Sequence, residues 1–290
     1  MYPSAFDYVA PESLDEALAV LTEHGDDAKV LAGGQSLIPL LKLRFAAPAI
    51  LVDVNRLPGL DGVAETDGHL EIGPLARHNQ IARTDWLKGR YGVVHDAAPL
   101  ISDPLVRNLG TFGGSLAHAD PQGDWASVAL ALNAEITVTS TTGQRVIPAA
   151  NLVTGPFTTS IEPTEIITGI RAPAPARNSG GTYLKLERKV GDFATVATAV
   201  HLELGGDGRV SRAGIALTAV GPSNIKATAA EQSLIGGEPS PEAFDEAARL
   251  AAEAADPATD TRGSAEYKRA VVRTFVRRGL DRALGIARPA

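Results

Sequence analysis

Val30-Leu-Ala-Gly-Gly-Gln-Ser-Leu-Ile-Pro39 has the make-up of an anion cradle. The short apolar run Lys29 to Leu31 predicts a strand, Ala32, Gly33 and Gly34 carry almost no side chain, and Ser36 opens an apolar segment, Leu37 to Phe45, that predicts a helix. Two successive glycines let backbone N–H groups turn into one concavity, and the dipole of the following helix adds positive potential there, which suits a phosphate or pyrophosphate. Taken alone, Gly33-Gly34 fits a plain chain reversal equally well. A second run, Arg107-Asn-Leu-Gly-Thr-Phe-Gly-Gly-Ser-Leu-Ala-His-Ala-Asp-Pro121, repeats the arrangement with Gly110, Thr111, Gly113, Gly114 and Ser115. Two such loops would hold one elongated ligand between them. Neither is G-x-G-x-x-G or G-x-x-x-x-G-K-[ST], which disfavours a Rossmann dinucleotide site and a P-loop.

Other groups of reactive type are weaker. His118, Asp120 and Asp124 form H-x-D-x-x-x-D, too few ligands at no recognised spacing for zinc or calcium. Ser223-Asn-Ile-Lys226 matches S-x-x-K without its S-D-N and K-T-G companions, and G-x-S-x-G is absent, so a serine hydrolase has little support. Lys185 lies between Leu184 and Leu186 on an alternating strand, where a lysine is ordinarily solvated surface. Arg107 and Asn108, at the start of the second run, either fix it or face the phosphates, with scaffolding the expected role. No acid–base pair for breaking substrate bonds stands out, and no catalytic residue is expected in this chain.

The elements that must position these loops read as follows. Ser13-Leu-Asp-Glu16 is a capping box; Leu14, Ala17, Leu18 and Leu21 recur at helical spacing, and Gly25 caps the end. With strands at Lys29 to Leu31 and Ile50 to Val54, residues 1–55 form a first small lobe. A second lobe, 56–175, contains a strand at Leu70 to Gly73, helices over His78 to Leu87, Tyr91 to Pro99 and Trp125 to Leu132, and strands at Glu135 to Ser140, Arg145 to Pro148 and Ile166 to Arg171. Ala172 to Gly181 is the clearest linker. In residues 176–290, Thr182 to Arg188, Thr195 to Leu204 and Val210 to Val220 predict a three-stranded antiparallel sheet with a turn at Gly205 to Gly208. Helices over Asn224 to Ile235, Pro241 to Ala255 and Ala265 to Leu284 cover it. The fold class is therefore α+β: two small α/β lobes, not of Rossmann type, and a C-terminal lobe of sheet and helices.

The residues also carry a resemblance. Ala32-Gly-Gly-Gln-Ser36, with Thr111-Phe-Gly-Gly-Ser115 followed by Ala117-His-Ala-Asp-Pro-Gln-Gly-Asp124, resembles the two FAD-binding loops of the flavoprotein, or medium, subunits of molybdenum hydroxylases, the xanthine dehydrogenase family. The similarity runs from Phe6-Asp-Tyr8 through Lys185-Leu-Glu-Arg-Lys-Val-Gly-Asp-Phe-Ala194 to the helical tail, and leans toward the aerobic carbon monoxide dehydrogenases. It implies an FAD contacted by Ala32, Gly33, Gly34, Gln35, Ser36, Leu37, Ile101, Leu109, Thr111, Gly113, Gly114 and Ser115, with Asp120 and Asp124 orienting loop N–H groups or meeting ribose or ribityl hydroxyls. His118 is open between ligand contact and a local hydrogen bond. Lys185 becomes a candidate for the flavin end, and Phe193 either packs over the isoalloxazine or is a core aromatic.

The same resemblance implies a small subunit with iron–sulfur clusters and a large subunit with the molybdenum cofactor, assembled as a dimer of heterotrimers that passes electrons to an external acceptor, a quinone, a carrier protein or NAD. The absence of cysteine agrees with this, because thiolate-held clusters cannot be built from this chain. Other three-subunit hydroxylases, for purines or N-heterocycles, share the plan. Two other classes stay open: a free-standing FAD oxidoreductase, which needs its own substrate base, and a nucleotide-binding module without turnover. A net charge of -7 with no basic run leaves no footprint for nucleic acid. No apolar run approaches a membrane span, and Met1-Tyr-Pro-Ser has no charged leader, so a cytoplasmic protein is expected, free or peripheral at the inner face of the membrane.

Overall fold

The computed structural model describes residues 2–288; Met1, Pro289 and Ala290, the extremities of the expected first and third lobes, lie outside the described residues. The chain opens with β1 (Asp7–Val9), α1 (Leu14–His24), β2 (Ala28–Leu31), α2 (Leu37–Leu43) and β3 (Ile50–Asp53). β3 lies between β1 and β2, all parallel, with Leu31 opposite Asp53 at the C-terminal edge. Helix α1 starts where Ser13 Oγ accepts the Glu16 N–H and stops at Gly25, whose φ of 52° is cheap only for glycine. It buries Ala17, Leu18 and Leu21 on this sheet.

Next come β4 (Val63–Thr66), β5 (His69–Ile72), α3 (His78–Ala82), α4 (Gly92–Ala97), α5 (Pro104–Leu109), α6 (Phe112–His118), α7 (Asp124–Ala131), β6 (Glu135–Ser140) and β7 (Gly143–Pro148). A short helix α8 (Ala149–Leu152) and a ribbon of β8 (Val153–Gly155) with β9 (Thr158–Thr159) lead to β10 (Ile166–Pro173). The sheet is antiparallel in the order β4-β5-β10-β6-β7. The sequence-based helix over 78–87 is interrupted: Arg83 and Thr84 N–H groups bond back three residues, and Leu87 resumes in a separate 3-10 turn. The one over 91–99 ends at Ala97 and continues past Pro99 only as a 3-10 turn. Helix α5, capped by Asp103 and carrying proline in its first turn, has no counterpart in the sequence reading.

The last part holds β11 (Ser179–Leu186), β12 (Val196–Leu204), β13 (Val210–Thr218), β14 (Ile225–Lys226), α9 (Thr228–Leu234), α10 (Pro241–Ala254) and α11 (Ala265–Ala287). Two expectations are corrected. The sheet is four-stranded, β14 adding two residues to the edge, and the linker is shorter, because Ser179-Gly180-Gly181 is buried strand paired with Glu203 to His201. Every residue of β12 is buried. Val196, Val200 and Leu202 join the core covered by α11, which α10 shares, whereas Ala197 and Ala199 face α4 and α7 in the core that also holds Trp125 and Tyr91. Large residues on one face and small on the other let helices cover both sides. Gly92 meets the Gly181 carbonyl and Gly214 meets the Ala131 carbonyl, contacts that a Cβ would block. Among the described residues, no helix is long and apolar enough to cross a membrane.

Candidate functional site

Past Leu31 the chain leaves the β2–β3 ladder, and its next three carbonyls are each taken by a local donor. Asn55 Nδ2 donates to Ala32 O at 2.8 Å, Gln35 Nε2 to Gly33 O at 3.1 Å and the Ile38 N–H to Gly34 O at 2.9 Å. A trans peptide points its N–H away from its C=O, so pinning these carbonyls fixes the direction of the Gly33, Gly34 and Gln35 amides. Gly34 has φ 71°, the left-handed turn that brings successive N–H groups to one side. Among the described residues, no acceptor of the chain meets the N–H groups of Gly33, Gly34, Gln35 or Ser36. Leu37 is half-buried at the start of α2.

The second glycine run has a different build. Gly110 and Thr111 are extended, and Phe112 to His118 is helix α6, whose first turn is capped by Thr111 Oγ1 accepting from the Gly114 N–H at 3.1 Å. The amides of Phe112 and Gly113 donate to Ala76 O and Pro74 O, and Gly110 O accepts from the His78 N–H. Its glycines serve approach rather than free donors: a Cβ on Gly113 would stand 2.6 Å from Pro74 Cβ, and one on Gly110 would stand 2.6 Å from His78 Nε2. The two runs meet. A Cβ on Gly33 would fall on the Leu109 carbonyl and 2.8 Å from Gly110 Cα, and one on Gly114 would lie 3.8 Å from Ala32 Cβ. Ser115 is half-buried on the same wall, and Leu109 is exposed beside it.

Two residues absent from the sequence reading tie the runs together. Arg77 donates through Nη1 to Leu109 O and through Nη2 to Asn55 Oδ1, and Asn55 in turn holds Ala32 O. Asn55 had a signal, a polar residue just past a buried parallel strand, at the sheet edge where ligands collect. Arg77 had none. As expected of scaffolding residues, Arg107 donates to the carbonyls of Ile101 and Ser102 and Asn108 accepts from Asn79.

A second cluster joins the last sheet to the rest. Lys185 Nζ lies 2.9 Å from Asp124 Oδ2 and 2.9 Å from Leu100 O, beside half-buried Ile101, with the lysine side chain 2% exposed. It is therefore not solvated surface. Tyr183 Oη donates to Asp124 Oδ1 at 2.7 Å, and Ser127, Thr218 and Asn224 extend the network. Burial pushes the Asp124 carboxyl up from its ordinary range, and Lys185 and Tyr183 oppose this.

Phe193 is 52% exposed in a loop whose Gly191 (φ 84°) packs on Ser102 and whose Asp192 is paired with Arg188 and Arg262. It is thus not a core aromatic. Asp120 accepts the Gln122 N–H in a local turn. His118 lies beside Phe157 with the rings tilted and their centroids 5.2 Å apart, and burial lowers its pKa.

The second run rests on His78, whose Nδ1 accepts the Trp125 indole N–H at 2.9 Å and whose pKa burial, with Arg77 and Arg107 near, pulls down to about 4. An unfolded chain protonates this ring near its ordinary value of 6.5, so its full contribution is present above that value and is lost as pH falls toward 4. Stability is expected to drop by up to roughly 3 kcal/mol across that window. His78→Gln flattens the slope, as urea midpoints over the same window would show.

Comparison with known proteins settles the family. A family model described as "FAD binding domain in molybdopterin dehydrogenase" matches residues 4–175, and one described as "CO dehydrogenase flavoprotein C-terminal domain" matches residues 181–283. The chain belongs to the flavoprotein subunits of the molybdenum hydroxylases. It is 40% identical to the carbon monoxide dehydrogenase medium chain of Hydrogenophaga pseudoflava, covering 98% of each chain. It is also 40% identical to the 6-hydroxypseudooxynicotine dehydrogenase complex subunit alpha of Paenarthrobacter nicotinovorans, covering 100% of this chain and 98% of that one. Among solved structures, carbon monoxide dehydrogenase from Hydrogenophaga pseudoflava matches with TM-score 0.93 at 42% identity, over 99% of each chain. The α+β architecture of this flavoprotein subunit is thus the family's own.

Proposed function

We propose that this subunit carries FAD for a carbon monoxide-oxidising molybdenum hydroxylase and relays electrons from it to an external acceptor, a quinone or a carrier protein. The observation that carries the reading is the run of amides from Gly33 to Ser36, which meet no acceptor among the described residues and lie beside the Leu109 to Ser115 wall. Amides whose neighbouring carbonyls are pinned fit a diphosphate; glycine at 33 lets the two runs touch, and glycine at 34 supplies the left-handed turn. On this reading Ala32 to Leu37 and Thr111, Gly113, Gly114 and Ser115 hold the pyrophosphate, and Ile101 and Leu109 line the way to the isoalloxazine. His118, Asp120 and Asp124 lie along the cofactor, Lys185 supplies charge at the flavin end, and Phe193 covers the ring.

When bound, the flavin supplies storage of two reducing equivalents. The chain binds, orients and shields, and no residue of it breaks a substrate bond. Residues 1–55 and 56–175 form the cradle, and residues 176–290 cover it. An iron–sulfur small subunit and a molybdenum large subunit complete a dimer of heterotrimers, cytoplasmic or peripheral at the inner membrane face; the medium-chain names of the relatives support the multi-subunit part of this.

A second reading, an N-heterocycle hydroxylase, rests on the equal identity to the 6-hydroxypseudooxynicotine dehydrogenase subunit. The complex purified from its own host decides between them. Dye reduction driven by carbon monoxide is expected, and reduction only by an N-heterocycle transfers the assignment to the second. A purified chain without a flavin absorption band removes both.

A further inference from the structure

We infer that Arg77 and Asn55 form a positioning pair that sets how tightly the flavin's diphosphate is held, by keeping the two glycine runs in register. The inference rests on the cofactor site proposed above.

The first run follows β2 of the three-stranded sheet and the second lies between α5 and α6, outside every sheet, so no β-ladder joins them and another contact must fix their separation. Backbone contact at Gly33 limits how close they come, because the Leu109 carbonyl lies where a Cβ would be. Arg77 limits how far apart they drift. Its guanidinium holds that same Leu109 carbonyl with one nitrogen and, with the other, Asn55 Oδ1 at 2.5 Å. Asn55 passes the constraint on, its Nδ2 reaching Ala32 O at 2.8 Å. The peptide unit so held ends in the Gly33 N–H, the first free donor of the cradle.

The pair is itself anchored from both sides. Asp53 Oδ1 accepts from the Asn55 backbone N–H at 2.9 Å and from Nδ2 at 2.6 Å, while Tyr8 Oη donates to Asp53 Oδ2 at 2.5 Å. On the other side, Arg77 forms a bridge with Thr111, and its neighbour His78 donates its N–H to Gly110 O. A rigid fork with two separate donors is what this geometry demands, and arginine supplies it where lysine cannot. Neither residue is placed against the cofactor. Both act through the carbonyls they hold.

The test uses the full chain with Asn55→Ala, with Arg77→Lys and with both, measuring FAD affinity by flavin fluorescence and the melting temperature of the flavin-free protein. Each single variant is expected to weaken FAD on the order of 10- to 100-fold, the range for losing a hydrogen bond to a charged group. The double variant should be little worse than the weaker single one, because both cut the same link. Arg77→Lys keeps the charge, so near-normal affinity in it would mean that Arg77 acts by charge alone and would overturn the pair. So would a fall in flavin-free melting temperature large enough to account for the lost affinity, or unchanged affinity in all three. Gly33→Val, measured alongside, separates the two levels. If it loses FAD while the three variants keep it, the pair is wrong; if it too keeps FAD, the cofactor is elsewhere.

Discussion

A chain carrying Gly33→Val is expected to be purified colourless. The added Cβ meets main-chain atoms of Leu109 and Gly110 rather than a side-chain tip that could rotate away. Those atoms are not free to retreat, because Arg77 holds the Leu109 carbonyl and the Gly110 N–H is bonded to Val106 O. Overpacking of this kind costs about 1–3 kcal/mol where the site can adjust at all, and here it pushes apart the two runs that form the cradle. Affinity for FAD should fall on the order of 100-fold or more. Gly114→Val should do less, since its nearest clash is the Thr111 hydroxyl at 2.6 Å, a single side-chain atom, although the α6 cap is weakened with it. Titration of flavin-free protein with FAD measures both. A Gly33→Val chain that stays fully yellow would remove the cradle from its place.

The second large effect belongs to Lys185→Met. Methionine fills the space of the lysine stem but leaves the Asp124 carboxylate buried without its cation, and breaking a buried pair this way costs about 3–5 kcal/mol. For a chain of this size the melting temperature should fall by roughly 10 °C. The pH dependence has a definite sign. Burial already raises the Asp124 pKa, and without Lys185 it rises further, so the folded variant takes up a proton that the unfolded chain releases. Its deficit is therefore largest near neutral pH and narrows as pH falls toward the raised pKa. Adding Asp124→Asn removes the stranded charge and should restore much of the loss, a coupling that a double-mutant cycle on flavin-free protein would measure. Equal melting temperatures for wild type and Lys185→Met would mean that the pair contributes no net stability.

How far the sequence could be read follows from which interactions are local. Helix α1 is announced by Ser13, Glu16 and Gly25 because a cap and a stop act within one turn. The first glycine run reads correctly as strand, turn and helix for the same reason. The second does not, because glycine is selected equally by a free amide and by close backbone approach, and only tertiary structure shows that Gly113 lies on Pro74 and Gly110 on His78. Lys185 was ambiguous for a related reason. Alternation reports that a strand has two faces but not that helices cover both, as happens at β12. The link from Leu109 through Arg77 and Asn55 to Ala32 joins four separate segments, and no pattern in one sequence marks it.

The glycines that let α4 and α7 settle against the last sheet have a mechanical consequence. Where Gly92 touches the Gly181 carbonyl and Gly214 touches that of Ala131, main chain rests on main chain, and no flexible side chains lie between to act as a lubricated layer. Residues 176–180, between the stretches matched by the two family models, therefore mark a seam in the sequence without supplying an articulation in the solid. Rigid contact there means that entry of a dinucleotide as long as FAD is expected to involve the surface loops rather than a swing of the last sheet.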